Sequence, residues 1–166
     1  MIDRVTTPPS GELADVLVDA VEGGASVGFL LPLDRANAAS WWEDLAPAVA
    51  SGSLLLWVAR IDGRVVGTVQ VRLATMPNAR HRGELAKLLV HRSARGRGIA
   101  RALVEAAEQG AADAGITLLI LDTETRSPAH GIYTHLGWTE VGTIPDYALD
   151  PKGEQSPTTI FYKRIP

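Results

Sequence analysis

HRSARGRGIARAL, residues 91–103, sets four arginines and two glycines between an apolar run and a helical pattern. The run before it, ELAKLLVH (84–91), reads as a strand. After it, Ile99, Leu103, Ala106, Ala107 and Ala111 recur on one helical face, which predicts a helix over about Gly98–Ala114 with Gly115 as its stop. A strand, a glycine-rich basic turn and a helix start, in that order, suit an anion. The first turn of a helix leaves its N–H groups unpaired, and the macrodipole places about +0.5 charge there. Gly96 and Gly98 let the backbone come close and curve its amides into a nest, while Arg95 and Arg97 can add charge-assisted bonds.

The charge of the chain is −3 over 166 residues, but it is uneven. Between Arg80 and Arg101 stand seven basic residues (Arg80, Arg82, Lys87, Arg92, Arg95, Arg97, Arg101) against one acid, Glu84. The remainder holds nine basic residues against eighteen acids. Proteins that bind a duplex spread basic charge over a broad face. Local positive charge in an acidic molecule favours a small polyanion, so no nucleic-acid partner is expected. The longest uncharged run, Leu45–Ala59, is broken by Pro47 and Ser51-Gly52-Ser53 and is too short for a membrane span. MIDRVTTPPS has no apolar core for a secretory signal, so a cytoplasmic location is the expectation. There is no cysteine, hence no disulfide, thiolate metal site or cysteine nucleophile. His81, His91, His130 and His135 lack metal-ligand spacing, and no metal is expected. The length suits a single domain over 1–166.

Outward from the basic turn, the chain reads as a mixed α/β fold. Ile2–Thr6 suits a short edge strand, and Ser10 can cap a helix ending at Gly23-Gly24. GGASVGFLLPL (23–33) reads as an apolar loop lining a site, and Asp34 can cap a helix carrying Trp41 and Trp42. LLLWVARI (54–61), Asp62-Gly63 and RVVGTVQVRLA (64–74) form a hairpin. ITLLILD (116–122) is a buried strand, Ser127-Pro128 starts a short helix stopped by Gly137, and WTEVGTI with PTTIFYKRI closes the sheet around DPKGE. The resulting order, β-α-α-β-β-β-α-β-α-β-β, gives a sheet that is antiparallel early, with one parallel crossover over residues 84–122.

Three phosphate motifs compete for the basic turn. A P-loop needs Gly-Lys-Ser/Thr, and Ile99-Ala100 follow Gly98 instead. The dinucleotide fingerprint fits Gly96 and Gly98 but meets Arg101 where a small residue must pack, although Asp122 would suit a ribose. The third pattern, Gln/Arg-x-x-Gly-x-Gly/Ala, is met in full by Arg95, Gly98 and Ala100. With the strand LAKLLVH before it and GIYTHLGW (131–138) after it, the chain resembles the GNAT superfamily of N-acetyltransferases. GGASVGF (23–29), SGSLLLWV (51–58), SARGRG (93–98) and LDTE (121–124), in this order, are similar to its tabtoxin-resistance type, which acetylates a β-lactam-bearing amino acid. That likeness runs from about Glu22 to Lys163 and is weakest in the first twenty residues and in loop 75–83.

The resemblance implies an α/β (α+β) GNAT fold. Its mixed, mostly antiparallel sheet would have six to seven strands, about four helices, and a splay between the fourth and fifth strands. It implies acetyl-CoA as co-substrate and direct transfer to the amine of a small molecule. Arg95, Gly96, Arg97, Gly98, Ile99 and Ala100 would hold the pyrophosphate. Leu88, Leu89 and Val90 would offer backbone groups to pantetheine and thioester. Tyr133 would reach the sulfur as proton donor, an assistance typically worth ~10²–10⁴-fold. Ser127 stands where the superfamily often has asparagine and can bond pantetheine or cap its helix. Homodimers are common in the superfamily.

An alkyl ammonium titrates near ~10, so a base must take its proton. Glu84 is the first candidate: strand alternation puts it on one face with Ala86, Leu88 and Val90, where burial would raise its pKa. A structural pair with Arg80 or Arg82 is the alternative. Asp122, at the carboxyl end of the next strand, is a second base or a holder of the acceptor's ammonium, with Glu124 further out. Phe29 and Trp42, with Trp41, can wall the acceptor pocket, although one of two adjacent tryptophans is normally core; Tyr147 and the 150–156 turn can cover it. A second reading is an acyl-CoA-binding sensor without catalysis, against which Glu84, Asp122 and Tyr133 stand together.

Overall fold

The computed structural model describes all residues, Met1–Pro166. Seven strands form one sheet in the order β1-β2-β3-β4-β5-β7-β6: β1 Ile2–Val5, β2 Leu54–Ile61, β3 Arg64–Leu73, β4 Arg82–Val90, β5 Leu118–Glu124, β6 Thr139–Leu149 and β7 Gln155–Arg164. Five helices flank it: α1 Ser10–Glu22, α2 Arg35–Asp44, α3 Ala46–Ser51, α4 Ile99–Asp113 and α5 Pro128–His135. The six-residue α3 is the one α-helix the sequence pattern does not announce: it is too short to show a periodicity, and Pro47 stands in its first turn, where a proline is tolerated. No helix is long and apolar enough to cross a membrane.

Alternation along the hairpin builds a core on each face of the sheet. Leu55, Trp57 and Ala59 of β2 face α4 and α5, while Leu54, Leu56 and Val58 face α1 and α2. Most expected ends hold: Asp34 caps α2 by accepting from the Asn37 N–H at 2.8 Å, and Ser127 caps α5 by accepting from the His130 N–H at 3.3 Å. Ser10 does not cap α1. It is the first helical residue, and its hydroxyl turns back to the Pro8 carbonyl.

All pairs but one are antiparallel; β4 and β5 run parallel. That pairing covers only Arg82–Glu84 against Leu118–Ile120, after which the strands part. Beyond Glu84, β4 has a sheet partner on its β3 side alone.

Helix α4 sits close to the sheet because Gly110 faces the Trp57 indole. A Cβ built there would stand 2.3 Å from Trp57 Cζ2. Gly110→Ala gains about 1 kcal/mol of helix propensity but overpacks a filled contact, which costs about 1–3 kcal/mol. The expected net result is a Tm lowered by a few degrees in a thermal melt; a raised Tm would show that the Trp57 ring yields without cost.

Candidate active site

The basic turn folds as an open nest. Gly96 and Gly98 both adopt φ +75°, a left-handed region that other residues enter only under strain. Gly98 is the N-cap of α4. Six successive amides, from Gly96 to Arg101, have no hydrogen-bond partner within the protein. They span the turn and the first helical turn, where the dipole favours an anion.

The four arginines of the stretch divide their work. Arg92 is structural: its Nε meets the Asp19 carboxylate of α1, its N–H donates to Asp19 Oδ2 at 2.9 Å, and its Nη2 donates to the Asp19 carbonyl at 3.2 Å. Asp19 is only 7% exposed, so this pair ties the turn to α1. Arg101 pairs with Glu105 one turn along α4 at 2.8 Å. Arg95 donates from Nε to the Val90 carbonyl at 3.1 Å. Arg97 has no partner within the protein and is the free cation beside the nest.

A second open stretch of backbone is the edge of β4, separated from the nest by residues 91–95, whose amides are all hydrogen-bonded. The His91 N–H donates to the Val66 carbonyl at 2.8 Å, and Val90 faces Gly67, so the N–H and carbonyl of Val90 point away from β3 into the gap before β5. Leu88 and Leu89 precede it on the same strand. A bulge lies just upstream, where the β3–β4 register shifts and Lys87 takes φ +53°.

This bulge corrects the alternation expected for Glu84. Glu84 and Ala86 pair across the strand with Arg72 and Gln70, but after Lys87 the register flips, so Leu88 and Val90 pack with the α4 core. Glu84 is not buried: its side chain is 40% exposed and faces Arg72 Nη1 at 3.8 Å. Its basic neighbour is thus Arg72, opposite on β3, rather than Arg80 or Arg82. Asp122, in register two residues beyond the Glu84–Ile120 pair, lies on the same face and is exposed at the end of β5. Thr158 Oγ1 donates to Asp122 Oδ2 at 3.4 Å.

Across the gap, Tyr133 of α5 is 4% exposed, with its ring against Trp138 and Phe161. Its hydroxyl makes no hydrogen bond to protein and is not sealed off as a buried orphan. Burial, reinforced by the negative charge of Asp122, pushes its pKa well above the usual phenol range, so the group stays protonated. The hydroxyl of Ser127 is engaged in capping α5 and lies 3.3 Å from Thr123 Oγ1.

On the opposite side, Phe29 and Trp41 meet edge to face at 5.2 Å, and Lys87 Nζ lies 5.9 Å and 5.3 Å from their ring centroids. Trp42, expected on this wall, is wholly buried beneath α1; Trp41 takes the wall position. The loop carrying Phe29 is tied to the β6–β7 turn by the Leu31 N–H, which donates to the Pro151 carbonyl at 2.8 Å. The expected cover from residues 150–156 is therefore in contact with the loop, while Tyr147 stands exposed on β6. A cavity of about 410 Å³ lies elsewhere, between α1 and residues 91–92, among charges already paired with one another.

Residues 13–138 match the family model described as Acetyltransferase (GNAT) family. The chain belongs to that family. It is accordingly an acetyl-CoA-dependent N-acetyltransferase of the GNAT kind. An N-acetyltransferase from the hisH–hisA intergenic region of Azospirillum brasilense is 32% identical over 133 residues, 77% of each chain. Two solved structures share the fold. A ribosomal-protein-alanine N-acetyltransferase from Brucella melitensis has TM-score 0.82, 24% identity and 99% coverage of both chains. A Salmonella typhimurium acetyltransferase solved with its cofactor acetyl-CoA has TM-score 0.79, 18% identity, and coverage of 100% of this chain and 94% of its own.

Lys87 and Arg72 are charged neighbours of Glu84 that sequence reasoning passed over, and the wholly buried Gln70 lies on the same face of β3 as Arg72. Lys87 counts there only as one more basic residue, and an unmarked bulge hides the face it takes. Burial pushes its ammonium below the usual lysine range and Arg72 adds to this, while Asp122 and Glu84 pull back. Between the lowered folded pKa and the unfolded one, the unfolded chain binds more protons, so stability rises with pH. Below that window the buried charge is a constant cost. Lys87→Met is expected to raise Tm at neutral pH, with the gain shrinking as pH climbs through the lysine range; a lowered Tm would show that the aromatic contacts outweigh burial.

Proposed function

We propose that the whole chain, as one N-acetyltransferase unit, moves an acetyl group from acetyl-CoA directly to the amine of a small molecule. The observation that carries this is two unpartnered stretches of backbone at the two ends of one braced turn: the amides of Gly96–Arg101 and the edge of β4 left open beyond Glu84. The amides of Gly96, Gly98, Ile99 and Ala100, with Arg95 and Arg97, receive the pyrophosphate. Leu88, Leu89 and Val90 run alongside pantetheine, and the Val90 N–H is the preorganised donor for the thioester oxygen. Ser127 contributes at the same gap through the cap it makes.

The acceptor's ammonium loses two protons. The first goes through water to Asp122, whose charge is felt at both Tyr133 and Lys87, or to Glu84, whose carboxylate is shared with Arg72. The free amine attacks the thioester carbon, the C–S bond breaks, and the second proton ends on the coenzyme A sulfur. Tyr133 is the group that meets this sulfur. A thiol titrates near ~8.5 and each unit of mismatch is worth about 1.4 kcal/mol, so full transfer from a phenol raised above its usual range is uphill. Tyr133 therefore acts first as a hydrogen-bond donor to the developing thiolate, and the amine's second proton completes the exchange.

Among acceptors, a β-lactam-bearing amino acid of the tabtoxin kind has the support of the four matching segments 23–29, 51–58, 93–98 and 121–124. A homodimer has the support of edge strand β6, where Val141 and Tyr147 are 63% and 51% exposed.

Tyr133→Phe is expected to lower kcat by about 10²-fold or more with little change in the KM for acetyl-CoA, read by thiol release. Equal kcat in variant and parent would remove Tyr133 from the chemistry.

A further inference from the structure

Four charged side chains surround the bulge of β4 on the acceptor side. Arg72, Glu84 and Asp122 share one face of the sheet through the register of β3, β4 and β5, and each acts electrostatically on Lys87. Two are cations and two are anions. Arg72 and Glu84 are matched to each other at 3.8 Å, but Lys87 Nζ has no carboxylate within 4.0 Å. It stands in a slot walled by Phe29 and Trp41. In front of it is Gly28, whose missing Cβ would lie 3.7 Å from Nζ. The neighbouring Gln70, on the same face, has both carboxamide atoms buried and unpartnered.

An aliphatic side chain would fill such a slot at lower cost. A half-desolvated ammonium without a counter-ion is an uncommon arrangement in a protein interior. Its stability cost makes sense where a ligand supplies the missing anion. Aromatic walls exclude water and so strengthen that pairing.

We propose that Lys87, assisted by Arg72, binds the carboxylate of the acceptor while Asp122 and Glu84 take its ammonium, so that the acceptor is a small zwitterionic amino acid. This rests on the acetyltransferase reading. Polyamines and aminoglycosides carry no anion and would set additional cations beside Lys87 and Arg72. An amino acid instead places one charge of each sign against a site that holds both. Lys87 is a specificity residue here, since the proton transfers run through Asp122, Glu84 and Tyr133.

The test is a rate panel with acetyl-CoA using the common L-amino acids, their carboxamides, their decarboxylated amines, spermidine and kanamycin. The parent is expected to prefer at least one amino acid over its own carboxamide by about tenfold or more in kcat/KM. In Lys87→Met that ratio falls toward one, chiefly through KM for the amino acid, and Lys87→Arg keeps most of it. Carboxamides or spermidine used as fast as amino acids, or a ratio that Lys87→Met leaves intact, would overturn the proposal. So would a protein that binds acetyl-CoA in calorimetry yet acetylates no amine in the panel. Failure to bind acetyl-CoA at all would instead defeat the acetyltransferase reading itself.

Discussion

Every backbone N–H and C=O that leaves water needs a partner, and this fold withholds partners on two stretches of backbone. The parallel pairing of β4 with β5 stops at Glu84 and Ile120. From there, β4 presents an edge inside the sheet, a place where strands are ordinarily paired. The amides of Gly96–Arg101 are a second such stretch, so in the proposed function an extended ligand with an anionic end would find its donors already in place. Very little has to be ordered on binding, which is the physical advantage of a preformed backbone site.

The gap is held open from both sides. On one, Asp19 of α1 receives Arg92 and fixes the start of the turn, while Arg95 reaches back to the Val90 carbonyl. On the other, Lys163 donates to Glu108 at 2.7 Å and the Trp138 indole donates to the same carboxylate at 2.8 Å, tying β7, α4 and the chain after α5 together. Tyr133 is carried by that second body and Lys87 by the first. Tyr133 and Lys87 thus belong to separately braced parts of the core, one on each face of the sheet.

Much of this was legible in the sequence because it is written locally. Arg95-Gly96-Arg97-Gly98 before a helical pattern marks the nest, Ser127-Pro128 marks the start of α5, and Asp62-Gly63 marks the hairpin. The tertiary features were not legible for a common reason. A β-bulge costs one residue and has no obligatory side chain, so strict alternation mis-assigned Leu88 and Val90 and hid Lys87. The partner of Glu84 is Arg72, twelve residues away in sequence but opposite in register. Which of two adjacent tryptophans faces inward depends on the rotation of α2 over α1, and only packing sets that. The Arg92–Asp19 pair joins residues 73 apart, and nothing near either residue announces it.

In the proposed function the backbone amides of 96–101 grip the cofactor's diphosphate. Amide hydrogen exchange, resolved by residue with and without saturating acetyl-CoA, reads this contact. Strong new protection is expected at Gly96, Gly98, Ile99 and Ala100, together with Val90, because these N–H groups have no partner within the protein. Unchanged exchange at those five positions, with protection appearing elsewhere, would contradict it.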